Sequence, residues 1–153
     1  MYLVERESII QNGDPAIHDN IYSVDGGVLL SKTWENLQGN TYETDPSSTW
    51  SSFIGISGDT VFSRKPFKLK KMSRTEYKLA KQTFGEHGKK SFDELKNWMC
   101  DHSNIPERKS TNGFPRPISL ESILRHANYS EQDIQEIIED IELHQSASAR
   151  FGI

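Results

Sequence analysis

Residues Ser91 to Leu124, SFDELKNWMCDHSNIPERKSTNGFPRPISLESIL, read as helix, ordered loop and helix. Ser91 is a good N-cap, and Glu94 stands three residues on, as a capping box requires. Phe92, Leu95 and Met99 repeat at helical spacing with Trp98 beside them, and the run ends at Asp101-His102. Pro106, Gly113, Pro115 and Pro117 punctuate the loop. A second helix opens at Ser119, with Ile118 and Ile123 in the two positions of a hydrophobic staple. Leu120, Ile123, Leu124 and Ala127 give its buried face. Trp98, Phe92, Leu95, Ile123 and Ile137 are expected to share one core.

C-terminal to this stretch, Ser130 and Asp133 start the last helix, with Tyr129 and Ile134 as its staple. Ile134, Ile137, Ile138 and Ile141 form its apolar stripe, and the opposite face, with Glu136, Glu139 and Asp140, is acidic. From Ser146 onward the chain is small and polar and is expected to fray. N-terminal to it, Ser73 and Glu76 make another capping box, with Met72 and Tyr77 as staple. Tyr77, Ala80 and Phe84 are expected to face inward, and Gly85 or Gly88 to end that helix. Phe53–Ser57 and Thr60–Arg64 flank Gly58-Asp59, a hairpin signal. At the start of the chain, Tyr2–Gln11 looks helical and is stopped by Asn12-Gly13. Residues 13–27 read as loop, and Val28–Leu37 as a helix through Leu30, Trp34 and Leu37. Tyr42–Thr49 is polar and expected to be exposed. The fold class that follows is mainly α with one small β-hairpin (α+β), a compact single domain over residues 1–145 with a flexible tail at 146–153.

The 153 residues suffice for one domain with its own core. A net charge of −4 and a pI near 5.7 disfavour a general nucleic-acid binder. Cys100 stands alone, so no intramolecular disulfide forms and a reducing cytoplasm is the simplest home. MYLVERESII carries charge and no long apolar run, so it reads as neither a signal peptide nor a membrane span.

Several short motifs, in order, resemble the Panacea domain, the SocA-like antitoxin family. They are Met1-Tyr2-Leu3-Val4-Glu5-Arg6-Glu7, Gly13-Asp14-Pro15-Ala16-Ile17, Asp19, Ser23, Gly26-Gly27-Val28-Leu29 and Gly39. Further along come Phe84-Gly85, the helix to His102, Ile105-Pro106-Glu107, Asn112-Gly113 and Pro117-Ile118. The likeness runs from Met1 to about His144. Three departures stand out: Gly27 replaces the family's proline, Arg108 its tryptophan, and Asp101 the threonine before the histidine. Family members usually carry a further helix ahead of the segment matching Met1–Glu7. Burial of Leu3, Val4, Ile9 and Ile10 is then expected to need another surface. A groove floored by Leu29, Leu30 and Trp34 would be filled by a second copy or by the toxin, unless the start codon lies upstream.

The resemblance implies an antitoxin of a bacterial or prophage toxin–antitoxin system. Such a protein neutralises a cognate toxin by direct binding, can deliver it to a protease unfoldase, and needs no cofactor. Hypothetical partner-binding residues are Val28, Leu29, Trp34, His102, Arg108, Glu136 and Glu139. The acidic pair would oppose a basic toxin.

Other constellations carry rival readings. Asp101 and His102, with Cys100 beside them, could serve a small hydrolase. Neighbours on a helix point apart, however, which favours a structural histidine at the helix C-terminus. His87, Cys100, His102 and His126 lack paired ligand spacing for zinc. His18-Asp19 reads as a loop with a turn-capping aspartate. Gly26-Gly27 precedes a helix as a phosphate site does, but without the lysine and hydroxyl of a P-loop, so a tight turn is the default. Arg64, Lys65, Lys68, Lys70 and Lys71 could touch phosphate as a nucleic-acid-binding regulator does, against a plain solvated connector.

Overall fold

A computed structural model describes residues 1–38, 53–58, 60–64 and 72–151. Six helices and five strands occur among them. The helices are α1 (Tyr2–Asn12), α2 (Ser31–Leu37), α3 (Arg74–His87), α4 (Phe92–Cys100), α5 (Leu120–His126) and α6 (Glu131–Phe151). The strands are β1 (Ile21–Val24), β2 (Gly27–Leu30), β3 (Ile54–Ser57), β4 (Thr60–Ser63) and β5 (Arg116–Ile118). The mainly helical α+β class holds. Gly39, Tyr42–Thr49 and the basic run from Lys65 to Lys71 lie outside the described residues.

The caps explain where the helices begin. Ser73 and Ser91 each accept a hydrogen bond from the backbone N–H of Glu76 and Glu94, which bond back. Ser119 caps α5 through the N–H of Ser122, and Ser130 pairs with Asp133 ahead of α6. Each such cap is worth about 1 kcal/mol. Gly13 ends α1 at φ +68 with its N–H on the Ile9 carbonyl, a conformation that favours glycine. The last helix continues through Ser146 to Phe151, where the composition suggests a polar tail.

The sheet is the main departure from the sequence reading. β1 lies between β2 and β5 in an antiparallel three-stranded sheet, distinct from the β3–β4 hairpin around Gly58. Residues 21–24, expected in a loop, form a strand, and Val28–Leu30, expected in a helix, form another. Ile21 sits opposite both Leu30 and Ile118, so these three make one cross-strand row, and all three are buried. That row is the floor on which the helices pack. β5 is an edge strand, where the missing N–H of Pro117 leaves no central ladder bond unmade. Asp25 and Gly26 are the two linking residues of the β1–β2 hairpin, so Gly26-Gly27 is a turn and not a helix N-terminus. Gly27 opens β2 at φ +137. Proline cannot adopt that angle, so glycine suits this strand start.

The core unites Tyr2, Leu3 and Ile9 of α1 with the sheet row, Ile105, Ile123 and Leu124 of α5, and Ile134 of α6. The chain itself therefore buries Leu3 and Ile9, which need no other covering surface, while Val4 and Ile10 are only partly buried. Leu30 is buried in this core as well, Leu29 is partly buried, and Trp34 is 48% exposed. Leu95, Trp98 and Ile137 pack against the core beside Ile123. Phe92, expected among them, is 79% exposed in the first turn of α4. On α3 the buried residues are Leu79 and Thr83, while Tyr77 and Phe84 lie on the surface. Its inward face is thus turned away from the one that the aromatic residues suggest.

Candidate functional site

The residues that carry the family resemblance bind chiefly to one another. Glu107, wholly buried, accepts hydrogen bonds from the Tyr2 hydroxyl at 2.6 Å and from Arg6 Nε at 2.6 Å. Burial, followed by the Glu107 charge, pushes the Tyr2 phenol well above its ordinary value. Burial opposes the charge on Arg6, but its bond to Glu107 and the charges of Glu107, Tyr2 and Glu7 together outweigh this and raise its pKa. Glu5 is also buried and accepts from the backbone N–H groups of Ile17 at 2.6 Å and Asp19 at 3.3 Å. This fastens the loop after α1. Asp19 in turn caps α2 from 13 residues away, taking the N–H of Lys32 at 2.9 Å and that of Thr33 at 2.8 Å. Burial acts to raise the Asp19 pKa, and these backbone donors with the Thr33 hydroxyl more than reverse it.

A second set holds the β1–β2 turn against the long loop before β5. Ser23, buried, accepts from the Lys109 N–H at 2.9 Å. Arg108 donates to the carbonyls of Val24, Asp25 and Gly27. The Thr111 hydroxyl donates to Asp25. Arg108 was expected to face a partner. Its guanidinium, partly buried, clamps a turn of its own chain.

The remaining expected site residues do not converge. Val28 and Leu29 are partly buried on β2, and Trp34 is on α2. His102 is exposed beyond α4, and Glu136 and Glu139 are exposed on α6, bonded to Gln132 and Gln135. Asp101 spends its carboxylate on the N–H and hydroxyl of Ser103, both at 2.8 Å, and these bonds lower its pKa. It does not orient His102. His87 stacks at a tilt on Trp98, with ring centroids 4.5 Å apart. Its Nδ1 is buried without a partner among the described residues, and desolvation lowers its pKa. No group of three or more His, Cys, Asp or Glu placed to hold a metal occurs among the described residues. Of the basic run, the described Arg64 donates to the Ile54 carbonyl.

The structure adds a feature that the sequence reading missed. A cleft of about 350 Å³ lies between the loop before β1 and helix α6. Its loop side carries Pro15, His18, Asp19 and Asn20, and its floor Glu5, Ile9 and Ile118. The far wall is Leu120 and Glu121 of α5 with Ile138, Ile141, Glu142 and Gln145 of α6. His18 stands at φ +55, which turns the chain at the rim. A neighbouring cavity of about 590 Å³ shares His18, Asn20, Ile141 and Gln145 and reaches Asp14, Lys32 and His144. The two form one groove along α6. A separate apolar cleft between α1 and α3 is lined by Val4, Ile17, Met72 and Ala80, with Glu76 at its edge.

No family model, no curated protein and no solved structure matches this chain. No helix among the described residues is long and apolar enough to cross a membrane.

Proposed function

We propose that this chain is a cytoplasmic antitoxin that neutralises a cognate toxin by direct protein–protein binding. One observation carries the reading. Tyr2, Glu5, Arg6, Asp19, Ser23 and Glu107 come from four separate motifs of the resemblance, and each is hydrogen-bonded to a segment distant in the sequence. Residues chosen for a shared scaffold are expected to behave in this way. Their charges are spent inside the fold, and what remains to meet a partner is surface.

The outer face of α6 suits that role. Glu136 and Glu139 are exposed there, with Asp140 beside them and Leu143, also exposed, on the same side. A surface of one sign steers an oppositely charged partner and raises its association rate. Asp101 and His102 give the hydrolase alternative no support, since the carboxylate is held by Ser103.

The test is co-expression with the product of the adjacent gene, with a tag on this chain alone. Recovery of both chains as a defined complex by light scattering is the expected result. A folded chain that purifies without that product would overturn the reading.

A further inference from the structure

The groove along α6 has an unbalanced charge. Four carboxylates line its deeper part, and no lysine or arginine does so among the described residues. Two of the four are accounted for: Glu5 by backbone N–H groups, and Asp19 by the start of α2. Glu121 and Glu142 make no hydrogen bond or ion pair among the described residues. Arg125, one turn on from Glu121, is held by Glu131 at 2.7 Å. Between these two carboxylates, of which Glu121 also feels the charge of Arg125, the wall is apolar: Leu120, Ile138 and Ile141 are all half-buried.

We propose that this groove receives an extended segment of a partner protein carrying an arginine or lysine. The methylene stem of such a side chain lies against the isoleucines while its cation reaches Glu121 and Glu142. Long basic side chains have this division, an apolar stem and a charged head. The span fits as well. From Ile138 to Gln145 the helix rises about 10 Å, which is the length of about three residues of extended chain. At the far end Lys32 and His144 stand beside a single carboxylate, Asp14, so negative charge dominates at the Glu121 end and the segment places its cation there.

The proposal deepens the protein-binding reading, and it rests on that reading for the source of the segment. Its test needs no toxin. The free chain is titrated with a blocked pentapeptide of threonine, valine, arginine, valine and threonine, and separately with the same peptide carrying citrulline, the neutral isostere. Backbone amide shifts are followed by NMR. Shifts centred on Ile138, Ile141 and Ile21 are expected, with a dissociation constant on the order of 1 mM. Citrulline should weaken binding about twofold to thirtyfold, the worth of two exposed ion pairs. In the Glu121→Gln, Glu142→Gln double variant the two peptides should bind alike. Equal binding of both peptides to the unaltered chain would overturn the proposal, as would shifts elsewhere or none. Arginine methyl ester binding as tightly as the pentapeptide would make this a site for small cations and overturn it too. So would groove shifts that grow with the chain's own concentration and a rising sedimentation coefficient, because the occupant would then be a second copy. A failed titration leaves the co-expression result untouched, so the two readings fail separately.

Discussion

Arg6→Ala is the sharpest test of how the structure is held together. The side chain of Glu107 is fully buried, and its charge is met by Arg6 Nε and the Tyr2 hydroxyl, each at 2.6 Å. Removing Arg6 leaves that carboxylate in the core with one neutral donor. Breaking a buried pair from one side costs about 3–5 kcal/mol, set against a total stability of about 5–15 kcal/mol for a domain. At about 2–4 °C per kcal/mol for a chain of this size, the melting temperature should fall by about 6–20 °C. Urea unfolding with an unchanged slope would assign the loss to stability. The companion variant removes the whole network: Tyr2→Phe, Arg6→Met and Glu107→Leu together. It should recover most of the loss, because an apolar replacement no longer strands a charge. A cost below about 1 kcal/mol for Arg6→Ala, or a triple variant no better than the single one, would refute the reasoning.

Other outcomes follow from the same geometry. The Tyr2 phenol is pushed up on folding, so its contribution is complete below the unfolded value, near pH 10, and is lost as pH rises above it. Stability should therefore fall more steeply above about pH 10 in the unaltered chain than in Tyr2→Phe, as read by urea midpoints. Asp19 is depressed, so its contribution is present above about pH 4 and is lost as pH falls through its lower folded value. Asp19→Ala should cost about 1–2 kcal/mol at neutral pH and flatten the acid limb. Phe92→Ala should change stability by less than about 0.5 kcal/mol, while Ile123→Ala, at a fully buried site, should cost about 2–5 kcal/mol in the same assay. Gly13→Ala should be destabilising, since an added Cβ at φ +68 would lie 3.3 Å from Ile137; thermal melts would show it.

Much of the fold is legible because helix starts are local. Ser91 with Glu94, and Ser73 with Glu76, mark their helices within four residues of sequence. The Gly58 hairpin is local too. The three-stranded sheet is not: Ile21 pairs with Ile118, nearly a hundred residues away, and four-residue strands leave too short a pattern to separate from a helix. On α3, the large aromatics Tyr77 and Phe84 suggest the wrong face, since Leu79 and Thr83 are its buried residues. Glu5 and Glu107 were missed as core residues because carboxylates are seldom buried unless paired, and their partners lie in other segments. The groove was illegible for a similar reason. Its walls come from the loop near His18, from α5 and from the inner edge of α6, which meet only in the folded chain.

The central claim is that this chain neutralises a toxin by binding it. The most direct measurement is growth of cells expressing the neighbouring gene, with and without this chain. Arrest by the neighbour alone should be relieved by the unaltered chain. Relief should be weaker with Glu136→Lys, Glu139→Lys, a variant expected to melt within about 2 °C of the parent because both positions are exposed. Arrest that persists beside abundant, folded chain, or a neighbour that causes no arrest, would contradict the claim.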